Sequence, residues 1–299
     1  MATPSAPSTA AESPAGGRSR LAALGRALRP AILPAILGLA LALRLVNLVR
    51  RPFWYDETFT VWIAGHGPGE IWGADTMPPL YYLFMSLWTL GGEGEAWLRL
   101  SSVLFSLAGV AVAWRIGREQ GSRTLAALLA LLLALSPFDV LYAQELRMYS
   151  LLNLGGLLAL LGFFRLLRAP DEAARPVGLK RLLRGPAGRA LWGWRLYLLG
   201  SLLALYTHNL GGLLPLSASL AAAAVWWRRP DRRPLLRNWL TVNGLALAVW
   251  ALYWPWLAQQ AASILGGFWI RQPSLAELVE GLFFLHGGQP WVLNALEAA

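Results

Sequence analysis

The sequence contains no cysteine, which excludes disulfides and thiolate chemistry and leaves the redox state of its compartment unmarked. Charge is scarce too: only 14% of its 299 residues are Asp, Glu, Lys or Arg, too few for a soluble domain of this size. Residues Met1 to Gly17 lack the charged start and immediate apolar core of a cleaved signal peptide. Rich in Ala, Ser, Pro and Thr without periodicity, they read as part of a disordered cytoplasmic tail over 1–28. No internal repeat of about 20 to 50 residues is visible, which argues against a solenoid.

What is present is apolar. Hydrophobic residues make up 56% of the chain and the mean hydropathy is +0.47, the composition of a membrane protein. The net charge of +10 does not point to nucleic acid, because the basic residues fall in short segments between apolar runs, as positive-inside loops do.

Apolar runs predict an all-α polytopic membrane protein of about seven transmembrane helices. The first span, Pro30 to Val49, is long enough at about 1.5 Å per residue to cross a hydrocarbon core of about 30 Å. Arg18, Arg20, Arg26 and Arg29 precede it, so its start, and the N-terminus, are expected in the cytoplasm of a plasma or inner membrane. Further spans are expected at Trp97 to Ile116, Thr124 to Phe138, Met148 to Phe164, Leu196 to Thr207, Leu210 to Trp227 and Trp239 to Leu257. They form a module over 29–258, with an outer loop at 50–96 and an outer-face segment at 259–299. Pro79 to Leu90 is too short to span and reads as an interfacial or re-entrant helix, with Tyr81, Tyr82 and Trp88 at headgroup depth. This topology puts 20 of the 26 Lys and Arg inside and 11 of the 16 acids outside.

The outer side then gathers the residues with chemistry. Asp56 and Glu57 follow the first span, in the aromatic stretch Phe53-Trp54-Tyr55, and open a helix expected over Asp56 to Ala64. Paired carboxylates at the mouth of a water-excluded cavity can take a proton or hold a cation; the structural alternative is that they cap the helix. Arg99 and Arg147 lie at the outer ends of the second and fourth spans. Each either snorkels to the headgroups or forms a phosphate clamp, since a guanidinium offers phosphate a bidentate fork. Gln144, Glu145, Tyr149, Tyr82 and Asp75 fall on the same side. His208 ends an apolar span and is a helix end-cap or, less simply, a ligand for a divalent metal. His66 and His286, in glycine-rich loops, support neither reading by themselves. Trp54 and Trp62 could stack on a sugar or prenyl chain.

Taken in order, these pieces resemble a known pattern. An Asp-Glu pair after the first span is followed by Pro78-Pro79-Leu80-Tyr81-Tyr82, then Leu98-Arg99-Leu100-Ser101-Ser102, then Ser136-Pro137-Phe138. Tyr142-Ala143-Gln144-Glu145-Leu146-Arg147-Met148-Tyr149 and Tyr206-Thr207-His208 complete it. Over about residues 30–258 the chain is similar to the N-terminal module of GT-C membrane glycosyltransferases, in particular family 39, which includes protein O-mannosyltransferases and lipid A aminoarabinose transferases. The resemblance implies transfer of a sugar from a polyprenyl-phosphate carrier to an acceptor lipid, glycan or protein at the outer face. It makes Asp56 the acid that activates the acceptor, with Glu57 beside it, and Arg99 and Arg147 candidates for the lipid phosphate.

Two departures stand out. Met77 occupies a position where relatives often carry His or Lys, and the chain stops soon after the seventh span where relatives continue, as a fragment or a minimal form would. The main rival is a transporter or flippase of a lipid-linked sugar. It would need polar residues along a pathway and paired half-chain repeats, and neither is evident in the sequence.

Overall fold

A computed structural model describes residues 29–186, 188–230, 232–265 and 273–285. The expected tail at 1–28, His286 and parts of the 259–299 segment lie outside the described residues. In chain order the helices are α1 (Ile32–Leu45), α2 (Tyr55–Ala64), α3 (Pro68–Ile71), α4 (Leu80–Trp88), α5 (Glu95–Glu119), α6 (Arg123–Leu135), α7 (Pro137–Ala143), α8 (Tyr149–Arg168), α9 (Pro170–Ala173), α10 (Leu179–Arg184), α11 (Arg189–Thr207), α12 (Leu213–Trp226), α13 (Arg232–Trp250), α14 (Trp254–Leu265) and α15 (Leu275–Leu285). Among the described residues there is no strand.

Four stretches are long and apolar enough to cross a membrane: α5, α8, Asn209–Trp226 and Arg232–Ala262. A fifth counts if α6 and α7, bent by 58°, form one broken span. The described residues are therefore all-helical, with four or five segments long and apolar enough to cross a membrane where seven transmembrane helices were expected. The shortfall has local causes. α1 stops at Leu45, four residues before the expected Val49, because Val46 turns extended and Asn47 takes the left-handed φ of 62° that ends helices. The third segment ends at Leu135 and not Phe138, because Ser136-Pro137 restarts the chain as α7: Pro137 takes a first-turn position, and the Ser136 hydroxyl accepts from the Asp139 N–H at 3.3 Å. α11, at 19 residues, is longer than the expected Leu196 to Thr207 but falls outside the membrane-length apolar stretches, because its added first turns carry Arg189, Gly193 and Arg195. Its extra turns are tied to the preceding loop by Arg195, which donates to the Leu182 and Gly185 carbonyls at 2.6 and 2.9 Å.

Close helix packing organises the rest. α8 and α11 run antiparallel with their backbones almost touching. A Cβ at Gly162 would lie 2.5 Å from the Tyr197 nitrogen, and one at Gly200 would lie 2.4 Å from the Ala159 nitrogen, so only glycine permits this approach. Next to this pair, Trp194, Tyr197, Trp226, Trp239 and Phe163 form an aromatic core. α1 lies against α5 and α6 through Ile36, Ala40, Val110, Ala130 and Ala134.

A further core, with Ile63, Ile71, Tyr81, Tyr82, Met85, Leu98 and Leu146, fastens α2 to α4 onto the ends of α5 and α8. As expected, α4 is too short to be among the membrane-length stretches, but its tyrosines are covered by protein. Tyr81 and Tyr82 are fully buried inside the protein, and Trp88 stacks on Trp97 with centroids 4.6 Å apart.

Candidate active site

One end of the bundle collects the end of α1, all of α2 and α4, the start of α5, the α7–α8 junction and the end of α11. At the other end, Glu119 pairs with Arg115 and Arg165 among basic residues.

Helix α2 starts one residue earlier than expected, at Tyr55, with Trp54 as its N-cap. Asp56 and Glu57 are thus second- and third-position residues, and the end-capping alternative falls to Glu57: its Oε2 accepts from the Trp54 N–H at 3.4 Å. Successive helix positions point about 100° apart, so the two acids enter different surroundings.

Glu57 is 1% exposed. Its Oε1 accepts from Arg99 Nε at 2.8 Å and from the Leu146 N–H at 2.8 Å, and its Oε2 accepts from Arg99 Nη2 at 2.6 Å. Arg99 also donates to the carbonyls of Leu48, Arg51 and Pro52 at 2.8, 2.9 and 3.4 Å, and lies 4.9 Å from the Phe53 ring centroid. The phosphate role expected of Arg99 and the acid–base role expected of Glu57 find both groups occupied by each other and by backbone. Together they staple the outer loop to α5 and to the α7–α8 junction.

Asp56 and Arg147 are arranged differently. Arg147 is 6% exposed, yet its Nη2 is 3.6 Å from Asp56 Oδ2, and its Nη1 makes only long bonds, to the Asp56 carbonyl at 3.2 Å and Thr60 Oγ1 at 3.3 Å. Its buried Nε has no hydrogen-bond partner among the described residues. Asp56 is half-buried. A buried guanidinium with an unpartnered N–H is costly unless something completes it, and the oxygens that suit its fork are those of an anion.

The other expected residues fall around these two pairs. Tyr82 donates from its hydroxyl to Asp75 Oδ2; burial first, and then the Asp75 charge, raise its pKa, which keeps the phenol protonated. Tyr149 meets the His208 ring with centroids 6.0 Å apart. Burial, and then Arg147, lower the pKa of His208. Its Nδ1 accepts from the Leu210 N–H at 3.0 Å, so the side chain caps the 3-10 turn Asn209–Gly212 that follows α11, while its backbone N–H closes α11 on the Ala204 carbonyl. Among the described residues no group of three or more His, Cys, Asp and Glu could hold a metal.

Gln144 acts structurally. Its Nε2 donates to the carbonyls of Leu43, Arg44 and Val46 at 3.2, 3.2 and 2.7 Å, covering the open end of α1. Glu145 lines a cavity of about 700 Å³ with Glu57, Arg99, Trp54, Arg50 and Arg51. Burial, and then the Glu57 charge, push its carboxyl up to about 7.

Sequence reasoning missed a third acid–base pair. Arg44, fully buried on α1, bonds Asp139 Oδ2, Ser106 Oγ at 2.7 Å and the carbonyls of Ala40 and Ala134. Asn153 donates to Asp139 Oδ1 at 2.8 Å. The signal for it was an arginine inside an apolar run, which marks a partner across the bundle. The contributions of Trp256, Gln259 and Gln260 were also missed, because no local pattern in that segment points back to the outer loop.

No protein-family model matches the chain, and no curated protein matches its sequence.

Proposed function

We propose that this protein is a membrane glycosyltransferase, moving a sugar from a polyprenyl-phosphate donor to a hydroxyl or amine of an acceptor lipid, glycan or protein at the outer face. The observation that carries the reading is the incompletely bonded Arg147 beside a half-open Asp56, in a molecule where the buried Arg99 and Arg44 are fully bonded.

In this scheme Asp56 takes the proton from the acceptor nucleophile. The nucleophile's lone pair forms the new bond to the anomeric carbon as the carbon–oxygen bond to phosphate breaks. That electron pair leaves on the phosphate oxygen, where Arg147 faces it. A single displacement inverts the anomeric centre. The apolar lipid stays in the bilayer, which is why such a reaction suits a helical membrane protein. In the full proposal α1 and α11 also cross the membrane, giving seven passes with a cytoplasmic N-terminus and the Asp56 end outside.

Membranes containing the protein are incubated with labelled polyprenyl-phosphate sugars and the product is traced. Label should move in the wild type and fall at least about a hundredfold in Asp56→Asn at matched expression, the lower end of a general-base contribution. No transfer from any donor sinks the reading, and near-normal transfer in Asp56→Asn removes the base. Orientation is tested separately in this cysteine-free chain: Glu70→Cys should label with an impermeant thiol reagent in intact cells and Arg184→Cys should not.

A further inference from the structure

Beside the Asp56–Arg147 pair, a second hollow of about 370 Å³ is built from two distant parts of the chain: Phe59, Gly73, Asp75 and Thr76 on one side, and Trp256 and Gln259 of α14 on the other. We propose that it holds one pyranose ring of a substrate, an inference that rests on the glycosyl-transfer reading.

The lining has the chemistry a sugar requires. A pyranose has an apolar face of C–H groups and a rim of hydroxyls, so it is held by an aromatic plane together with planar side chains that can both give and accept hydrogen bonds. The half-buried indole of Trp256 supplies the plane, and it is fixed by Trp72 at 5.0 Å and Tyr253 at 6.4 Å between centroids. The exposed Gln259 amide supplies a donor and an acceptor at the rim, while the Asp75 carboxylate only accepts and already holds the Tyr82 hydroxyl and, at 2.6 Å, the Thr76 N–H. Gly73 sets the depth: a Cβ there would lie 3.1 Å from Trp256 Cδ1.

The hollow is also pre-formed. Gln260, next to Gln259, donates to the Asp75 carbonyl at 2.6 Å and accepts from the Tyr253 hydroxyl at 2.9 Å, joining residues 185 positions apart. It adjoins the proposed chemistry, because Asp75 also accepts from Tyr82, and both residues lie close enough to Arg147 to act on its charge. Its volume is near the lower limit of about 300 Å³ for small-molecule sites, which suits a single ring.

The test reads binding and not turnover. Saturation-transfer NMR is recorded on the full chain in lipid nanodiscs with a panel of methyl glycopyranosides. At least one should receive saturation through its C–H face. Its Kd should rise at least about tenfold in Trp256→Ala and several-fold in Gln259→Ala, whose exposed side chain should be dispensable for folding, while Trp192→Ala at the other end of the bundle leaves it unchanged. Displacement of the glycoside by a polyprenyl-phosphate sugar, but not by polyprenyl phosphate, assigns the ring to the donor; displacement by neither assigns it to the acceptor.

The proposal is overturned if no glycoside receives saturation, if only a quaternary ammonium probe does, or if both Trp256→Ala and Gln259→Ala bind as tightly as the wild type. Sugar transfer with no such binding removes the hollow and leaves the enzyme. Binding without sugar transfer does the reverse.

Discussion

Two acid–arginine pairs sit side by side on the first turn of α2, and they differ in completeness. In the Glu57–Arg99 pair both carboxylate oxygens and all three guanidinium nitrogens are bonded at ordinary distances. In the Asp56–Arg147 pair the charges stand 3.6 Å apart and one buried N–H faces no acceptor among the described residues. Both arginines are buried and both acids lie in the same helical turn. What separates the two pairs is therefore which has bonding capacity left over, and the proposed function assigns the chemistry to that one.

The comparison is broken most severely through the closed pair. Glu57→Gln leaves Arg99 buried beside a neutral amide, and unpairing a buried ion pair costs about 3–5 kcal/mol. The expected outcome is a large fall in melting temperature and in the yield of monodisperse protein, with activity per folded molecule less affected. A variant as stable as the wild type but inactive would move the chemistry to Glu57.

Arg147→Lys acts on the open pair and should do the converse. The ammonium keeps the charge but loses the planar fork, so use of the donor should fall by roughly tenfold, the scale of about 1.4 kcal/mol for one charge-assisted bond. Melting temperature should hardly move. Unchanged kcat and KM for the donor would make Arg147 structural like Arg99.

The smallest effect concerns Glu145, whose carboxyl feels the charges of both pairs. It is raised from 4.5 to about 7, so between these values the folded protein binds more protons than the unfolded chain. Stability must then fall as pH rises through that window. Glu145→Gln should flatten the dependence of melting temperature on pH between about 5 and 7. A slope equal to that of the wild type would show that Glu145 titrates normally.

Much of this end of the molecule was legible in the chain. Asp56, Glu57, Arg99, Arg147, Tyr82, Tyr149 and His208 were assembled from charge bias and span order alone, and the structure places them at the same end of the bundle. What the pattern could not supply was their pairing. Arg99 and Arg147 are equivalent by position, each at the outer end of an apolar run. Only the chain path through Leu48, Arg51 and Pro52 gives Arg99 its carbonyl acceptors. The two tyrosines of α4 read as interfacial because aromatic residues in a short apolar helix look the same whether lipid or protein covers them.

The sequence by itself determined the class of molecule, because apolar runs and scarce charge are properties of composition that no packing can reverse. Ser136-Pro137 also breaks α6 through local backbone geometry, although the apolar run itself reads straight across it to Phe138. Tertiary structure decided which acid is satisfied, how Arg44 finds Asp139 across 95 residues, and that α14 folds back onto Asp75. These depend on contacts between positions far apart in the chain. Their energies come from desolvating charges and amides together, and a one-dimensional pattern does not carry that quantity.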